Sequence, residues 1–202
     1  MEIRFGRLVI SVSPDVYPPA EDSFMLARGA ESLRGEILEI GCGSGIASLS
    51  AALAGPGNKV LGLDINPEAV ECARANAKAN KITNALFMES DLFSAVPKRK
   101  FDAILFNPPY LPTGETERVA GPVNAAFDGG KDGRKVVGKF LLEFDRFLRP
   151  GGTLLLVQSS LNDLEKTKKA LAKLGYGTEI AAEEKFFFER LYLLRASKPK
   201  RL

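Results

Sequence analysis

The sequence predicts an α/β fold: a seven-stranded, mostly parallel sheet with one antiparallel strand and helices on both faces. Three observations lead there. Short apolar runs of strand type alternate with segments of helical period, and such alternation builds a parallel sheet covered on both sides. The chain ends in two strand-like runs close together, too near for a crossover, so they are expected to pair antiparallel. Chemically capable residues recur just after the first four runs, where sheets of this kind bind ligands. The totals agree: 202 residues, 45% apolar and 26% charged, are ordinary for a globular chain with its own core.

Taken in order, residues 1–20 read as irregular, with one short strand at Gly6–Ser13 before Pro14, Pro18 and Pro19. Glu21 and Asp22 open a helix bearing Phe24, Leu26, Ala27, Ala30 and Leu33, where their charge suits the positive helix end. Ile37–Ile40 is a buried strand; Gly41-Cys42-Gly43-Ser44-Gly45 turns it into a helix ending near Ala54. Lys59–Leu63 is the second strand and ends at Asp64. Pro67 suits the first turn of a helix reaching about Asn80. Asn84–Met88 is the third strand, with Asp91 and Leu92 just beyond.

The fourth strand, Phe101–Phe106, stops at Asn107-Pro108-Pro109-Tyr110, because consecutive prolines forbid helix and ladder alike. Residues 111–131 form a long glycine-containing loop, a length that usually signals function. Asp132 begins a helix carrying Val136, Val137, Phe140, Leu141, Phe144, Phe147 and Leu148, stopped by Pro150-Gly151-Gly152. Thr153–Val157 is the fifth strand, Leu161–Leu174 a Lys-rich amphipathic helix, and Gly177–Ala182 and Phe187–Leu194 are the last strands.

Composition excludes several chemistries. The chain contains no histidine, which removes Ser-His and Cys-His nucleophile pairs and most metal-hydrolase designs. Its two cysteines, Cys42 and Cys72, match no disulfide framework and no zinc spacing, and suit a reducing interior; no metal site is expected. The start of the chain lacks a secretory pattern and no apolar run is long enough to span a bilayer, so a cytoplasmic protein without membrane attachment is expected. A net charge of +3, with no basic stripe beyond Lys198, Lys200 and Arg201, gives little support for a nucleic-acid partner.

The four strand ends carry the chemistry. Gly41, Gly43 and Gly45 allow close backbone approach to a ligand at a helix start. A dinucleotide loop would read G-x-G-x-x-G, but here the third glycine comes one residue early. Glu39 before the loop disfavours a pyrophosphate and favours a cation. Asp64 stands where ribose hydroxyls are held, and Asp91, beside the Leu92 backbone, can accept from an adenine amine. The ligand then has a ribose, an adenine and a positively charged part with no requirement for phosphate, which S-adenosylmethionine fits and NAD fits less well. Asn107 offers an amide, the proline carbonyls offer acceptors, and Tyr110 offers a ring, a set suited to a planar group bearing NH₂.

Glu39-Ile-Gly-Cys-Gly-Ser-Gly45, Asp64, Asp91 and Asn107-Pro-Pro-Tyr110 resemble class I S-adenosylmethionine-dependent methyltransferases, which have a Rossmann-like sheet. Val16-Tyr17-Pro18-Pro19-Ala20-Glu21-Asp22-Ser23-Phe24 resembles the opening of HemK/PrmC-type glutamine N5-methyltransferases, in the short archaeal and eukaryotic branch acting on translation release factors. That resemblance implies cofactor contacts from Ser23, Glu39, Gly41, Cys42, Gly43, Gly45, Asp64, Ile65, Asp91, Leu92 and Asn107, and release of S-adenosylhomocysteine. It implies that Asn107, Pro108, Pro109 and Tyr110 hold and activate the glutamine of a Gly-Gly-Gln loop. Two departures stand out: no helical N-terminal domain precedes the glycine loop as in the bacterial branch, and Pro18-Pro19 replaces the commoner Glu-Pro.

On this reading residues 1–202 form one methyltransferase domain, with residues 1–35 capping the cofactor site. The apolar third strand, Asn84–Met88, is expected at a sheet edge, paired with a small zinc-binding activator subunit as in the short branch or with a second copy; Lys at Phe87 would probe it. Asn-Pro-Pro-Tyr serves adenine N6 or guanine N2 methylation equally well, and a non-catalytic cofactor-binding subunit is an alternative of another class. A dinucleotide oxidoreductase fits least.

Overall fold

The computed structural model describes residues 1–111 and 129–198. Most of the 111–131 loop, together with Lys200 and Arg201 of the basic tail, lies outside the described residues. A two-stranded hairpin, β1 (Glu2–Phe5) and β2 (Leu8–Ser11), precedes helix α1 (Glu21–Ala30). Then follow β3 (Glu36–Ile40), α2 (Ile46–Ala54), β4 (Lys59–Asp64), α3 (Pro67–Ala79), β5 (Ala85–Glu89) and β6 (Phe101–Phe106). The C-terminal half contains α4 (Lys135–Glu143), β7 (Leu148–Ser159), α5 (Leu164–Lys173), β8 (Gly177–Lys185) and β9 (Arg190–Ser197). No helix of the described residues is long and apolar enough to cross a membrane.

The seven-stranded sheet runs β5-β4-β3-β6-β7-β9-β8. Strands β3 to β7 pair in parallel, and β9 is antiparallel to both β7 and β8. The strand period of two is visible as two separate cores. Ile37, Val60, Ala103, Leu105, Leu155 and Val157 face α1, α2, α3 and the hairpin. Their alternate neighbours Leu38, Leu61, Ile104, Phe106, Leu154 and Leu156 face α4, Leu171 of α5 and Tyr176. Phe93, Phe140 and Phe144 form stacked and tilted ring contacts with Phe106, Phe147 and Tyr176 on that second face.

Several element readings change, the last two strands among them: β8 runs on to Lys185, and β9 starts at Arg190 rather than Phe187, which is exposed in the turn between them. The single strand expected at Gly6–Ser13 is the second arm of a hairpin, turned at Gly6 with φ +55°. Its outer edge is held by two asparagines of α3: Asn80 and Asn76 each exchange a donor and an acceptor with the backbone of Val9 and Ser11. No periodicity in residues 1–13 reveals that pairing. The helix expected to reach Leu148 ends at Glu143 in a 3₁₀ turn, Phe144–Arg146. The following strand then starts at Leu148 rather than Thr153, because Leu148 pairs with Phe101 before a register shift. Finally, α5 starts at Leu164, after a 3₁₀ turn and a cap in which the Asp163 side chain accepts from Lys166 N–H.

The strand at residues 84–88 is an edge strand, but its two sides differ. Phe87 is 4% exposed, its ring packed over Gly62, whereas Leu86 is 67% and Met88 38% exposed. The inner side is covered by α3, the crossover from β4. The connection from β5 to β6 contains no helix, and none of the described residues covers the other side. Lys at Phe87 would therefore disrupt the core, and Leu86 is the position that probes the edge.

Candidate active site

The C-terminal ends of β3, β4, β5 and β6, roofed by the start of α1, enclose a cavity of about 550 Å³. Of the residues singled out from sequence, Ser23, Glu39, Gly41, Cys42, Gly43, Asp64, Ile65, Asp91, Leu92, Asn107, Pro108, Pro109 and Tyr110 line it. Gly45 does not. It caps α2 with φ +84°, and a side chain there would press on Ala73 of α3 at 3.0 Å, so its role is helix packing.

The glycine turn is tied to the neighbouring strand: Gly43 N–H donates to Asp64 Oδ2 at 2.8 Å, and Asn66 N–H to Oδ1 at 2.9 Å. Burial pushes the Asp64 carboxyl above its ordinary pKa, against the pull of these N–H donors. Glu39 is 3% exposed and accepts from Ser48 Oγ. Burial drives its pKa from 4.5 up to about 8, the Ser48 bond opposing the shift and the Asp64 charge adding to it. Cys42 is buried and free, and burial pushes its thiol well up, so it is not a nucleophile. Leu92 adopts φ +47°, a costly conformation for a branched residue, and its carbonyl accepts from Ser90 Oγ at 2.9 Å.

At the other wall, Asn107 Nδ2 donates to Asp22 Oδ2 at 3.0 Å and Tyr110 O–H donates to the same oxygen at 3.1 Å. Asp22 Oδ1 accepts from Ser23 N–H at 2.6 Å. Asn107 Oδ1 is buried without a partner. The Tyr110 carbonyl is pinned by Asn162 Nδ2 at 2.6 Å. Arg134, Thr167 and Gln158 back that contact in a buried chain of hydrogen bonds. Burial first, then the Asp22 charge, raises the Tyr17 and Tyr110 phenol pKa values, so both stay protonated donors.

Sequence reasoning did not single out Tyr17, Asp22, Asn66, Ser90, Lys135 or Lys139 as site residues, although all line the cavity. Asp22 read as a helix-start acid, and only the fold brings it across 85 residues to Asn107. Among the described residues, no group of three or more His, Cys, Asp or Glu is placed to hold a metal ion.

The donor set suits S-adenosylmethionine. Glu39, Asp64 and Asp91 favour a cation and can accept from ribose and amine groups, Ile65, Leu92 and Val136 supply apolar wall, and the orphaned Asn107 acceptor awaits a donor.

Comparison with known proteins agrees. Residues 22–188 match the family described as methyltransferase small domain. A Methanocaldococcus jannaschii protein assigned as a protein N5-glutamine methyltransferase is 44% identical over 97% of this chain and 98% of its own. Methyltransferase HEMK2 of Mus musculus is 34% identical over 96% of this chain and 95% of its own. Among solved structures, the E. cuniculi Mtq2–Trm112 complex, described as responsible for methylation of the eRF1 translation termination factor, superposes with a TM-score of 0.69. It is 26% identical, covering 91% of this chain and 99% of that one.

Proposed function

This chain belongs to the methyltransferase small-domain family, as an S-adenosylmethionine-dependent protein N5-glutamine methyltransferase, and we propose that it methylates the Gly-Gly-Gln glutamine of a translation release factor. The observation that carries the substrate reading is the unpartnered, buried Asn107 Oδ1 on the wall shared with the acids and the glycine turn. A primary amide nitrogen brings two N–H groups, and this wall offers acceptors.

S-adenosylmethionine supplies an electrophilic methyl group on a sulfonium. Glu39, Gly41, Gly43, Asp64, Ile65, Asp91 and Leu92, which line the cavity, would hold it, with Ser23 and Cys42 beside them. An amide nitrogen is a poor nucleophile, because its lone pair is shared with its carbonyl. Asn107 Oδ1 and the Pro108 carbonyl accept its two N–H bonds, turn the lone pair toward the methyl carbon and stabilise positive charge as it builds. Pro109 keeps the turn rigid, and the Tyr110 ring packs against the amide plane. When bound, S-adenosylmethionine would give up that methyl and leave as S-adenosylhomocysteine, and the amide nitrogen would release one proton to solvent. With no histidine in the chain, alignment does more than general-base help.

Residues 1–202 act as one methyltransferase domain, the part of residues 1–35 between Val16 and Leu26 roofing the site, in the cytoplasm where translation factors reside. A small zinc-binding activator subunit is proposed on the β5 edge, where Leu86 and Met88 are exposed; the Trm112 chain of the E. cuniculi complex is the supporting parallel. The deciding experiment is mass spectrometry of a release factor after incubation with the protein, S-adenosylmethionine and such a subunit. One added methyl on the Gly-Gly-Gln glutamine is expected. Methylation of a nucleic acid in place of the factor would refute the substrate assignment.

A further inference from the structure

We propose that Asp22 is a positioning residue: it fixes the Asn107 side-chain amide with its oxygen, not its nitrogen, toward the group to be methylated. The inference rests on the glutamine-methyltransferase reading and adds to it a residue that acts only through Asn107.

An asparagine amide is nearly symmetric in shape, so its orientation is set by what it touches. A carboxylate can only accept. Asp22 Oδ2 lies 3.0 Å from the Asn107 amide, so the nitrogen must face it. A flipped amide would set two acceptors against each other in a buried place, Asp22 being 4% exposed. The flipped form would also present N–H donors to a substrate that itself brings N–H donors. The orphaned Oδ1 is the counterpart of that arrangement: its partner is the substrate.

Asp22 is itself held from several sides. Ser23 N–H and Ser23 Oγ donate to Oδ1, at 2.6 and 3.2 Å, and Tyr110 O–H donates to Oδ2 at 3.1 Å. Tyr17 contributes a further bond. Each of these hydrogen-bond partners is a donor, so the carboxylate cannot turn away without losing several charge-assisted bonds at once. Tyr110 shares the same oxygen, so one carboxylate aligns the amide acceptor and the ring beside it. Asp22 sits in the second residue of α1, and the placement follows from α1 crossing the end of β6.

The test is a reciprocal exchange in the full chain. Asp22→Asn keeps size but can donate as well as accept, so both Asn107 orientations become populated. Its kcat on release factor should fall about 100-fold, the scale of losing one preorganised contact, with KM and S-adenosylmethionine affinity within about threefold. The double variant Asp22→Asn, Asn107→Asp restores a donor facing a carboxylate and leaves one oxygen toward substrate, so kcat should recover at least roughly tenfold over the single variant. A merely structural aspartate would show no such recovery. Asp22→Asn within about threefold of wild type, or no recovery in the exchange, overturns the proposal. An independent readout needs no substrate: the Asn107 side-chain NH₂ should give a solvent-protected NMR resonance that Asp22→Asn abolishes, and its absence from wild type overturns the proposal. Failure of the wild type to methylate release factor while that resonance is present refutes the substrate reading alone.

Discussion

Glu39→Gln should remove most of a pH dependence of stability that the fold creates at one buried carboxyl. The group titrates at an ordinary 4.5 when exposed and at about 8 when folded. A raised acid pKa means that the native state binds the proton more tightly than the unfolded chain does. Its contribution is therefore fully present below 4.5 and is lost as pH rises through 8. Between pH 5 and pH 8, linkage makes that loss roughly 3 kcal/mol, or about 6–12 °C in Tm for a chain of this size. Glutamine is nearly the same shape, can still accept from Ser48 Oγ, and does not titrate. At pH 5 the two proteins should melt within about 1 kcal/mol of each other; at pH 8 the variant should be the more stable. Asp64, also raised, contributes with the same sign in both proteins, and because its charge helps to raise Glu39, only the part of its titration that does not depend on Glu39 cancels in the difference. Thermal melts of both without cofactor, at both pH values, measure it. A stability gap that stays constant from pH 5 to pH 8 would refute the reasoning.

The same carboxyl should couple to the cofactor. A cationic ligand favours ionised Glu39, so S-adenosylmethionine affinity should rise as pH climbs toward 8 with proton release on binding; calorimetry in buffers of different ionisation enthalpy reads this, and Glu39→Gln should flatten it. Asn107→Ala should leave cofactor affinity within a few-fold and abolish methyl transfer to release factor, and a near-wild-type rate would exclude the proposed role. Gly62→Ala places a methyl 2.6 Å from the buried Phe87 ring and 3.0 Å from Ser48 Oγ, and should cost about 1–3 kcal/mol by urea denaturation. Leu86→Lys should weaken association with an activator subunit by at least roughly tenfold while Tm stays within a few degrees, whereas Phe87→Lys should lower Tm sharply.

The sequence by itself determined the sheet, its strand polarity and the edge at which the candidate site residues gather. That information is local: buried parallel strands must be apolar on both faces, as Ile37-Leu38 and Ile104-Leu105 are, and two prolines after Asn107 must end a strand wherever it sits. The glycine turn and the acids at strand ends were legible for the same reason, since each is defined by its distance from a strand. Tertiary structure alone decided what depends on contact between distant segments. The hairpin at the start has its strand ladder completed by side chains of α3, more than sixty residues on. Gly45 faces Ala73 rather than the cavity, and Phe87 turns inward while Leu86 turns out, because α3 covers one side of the edge and none of the other described residues covers its opposite side. Asp22 looked like a charge at a helix start. Its meeting with Asn107 and Tyr110 depends on α1 crossing the end of β6, and a packing angle leaves no mark in the spacing of residues.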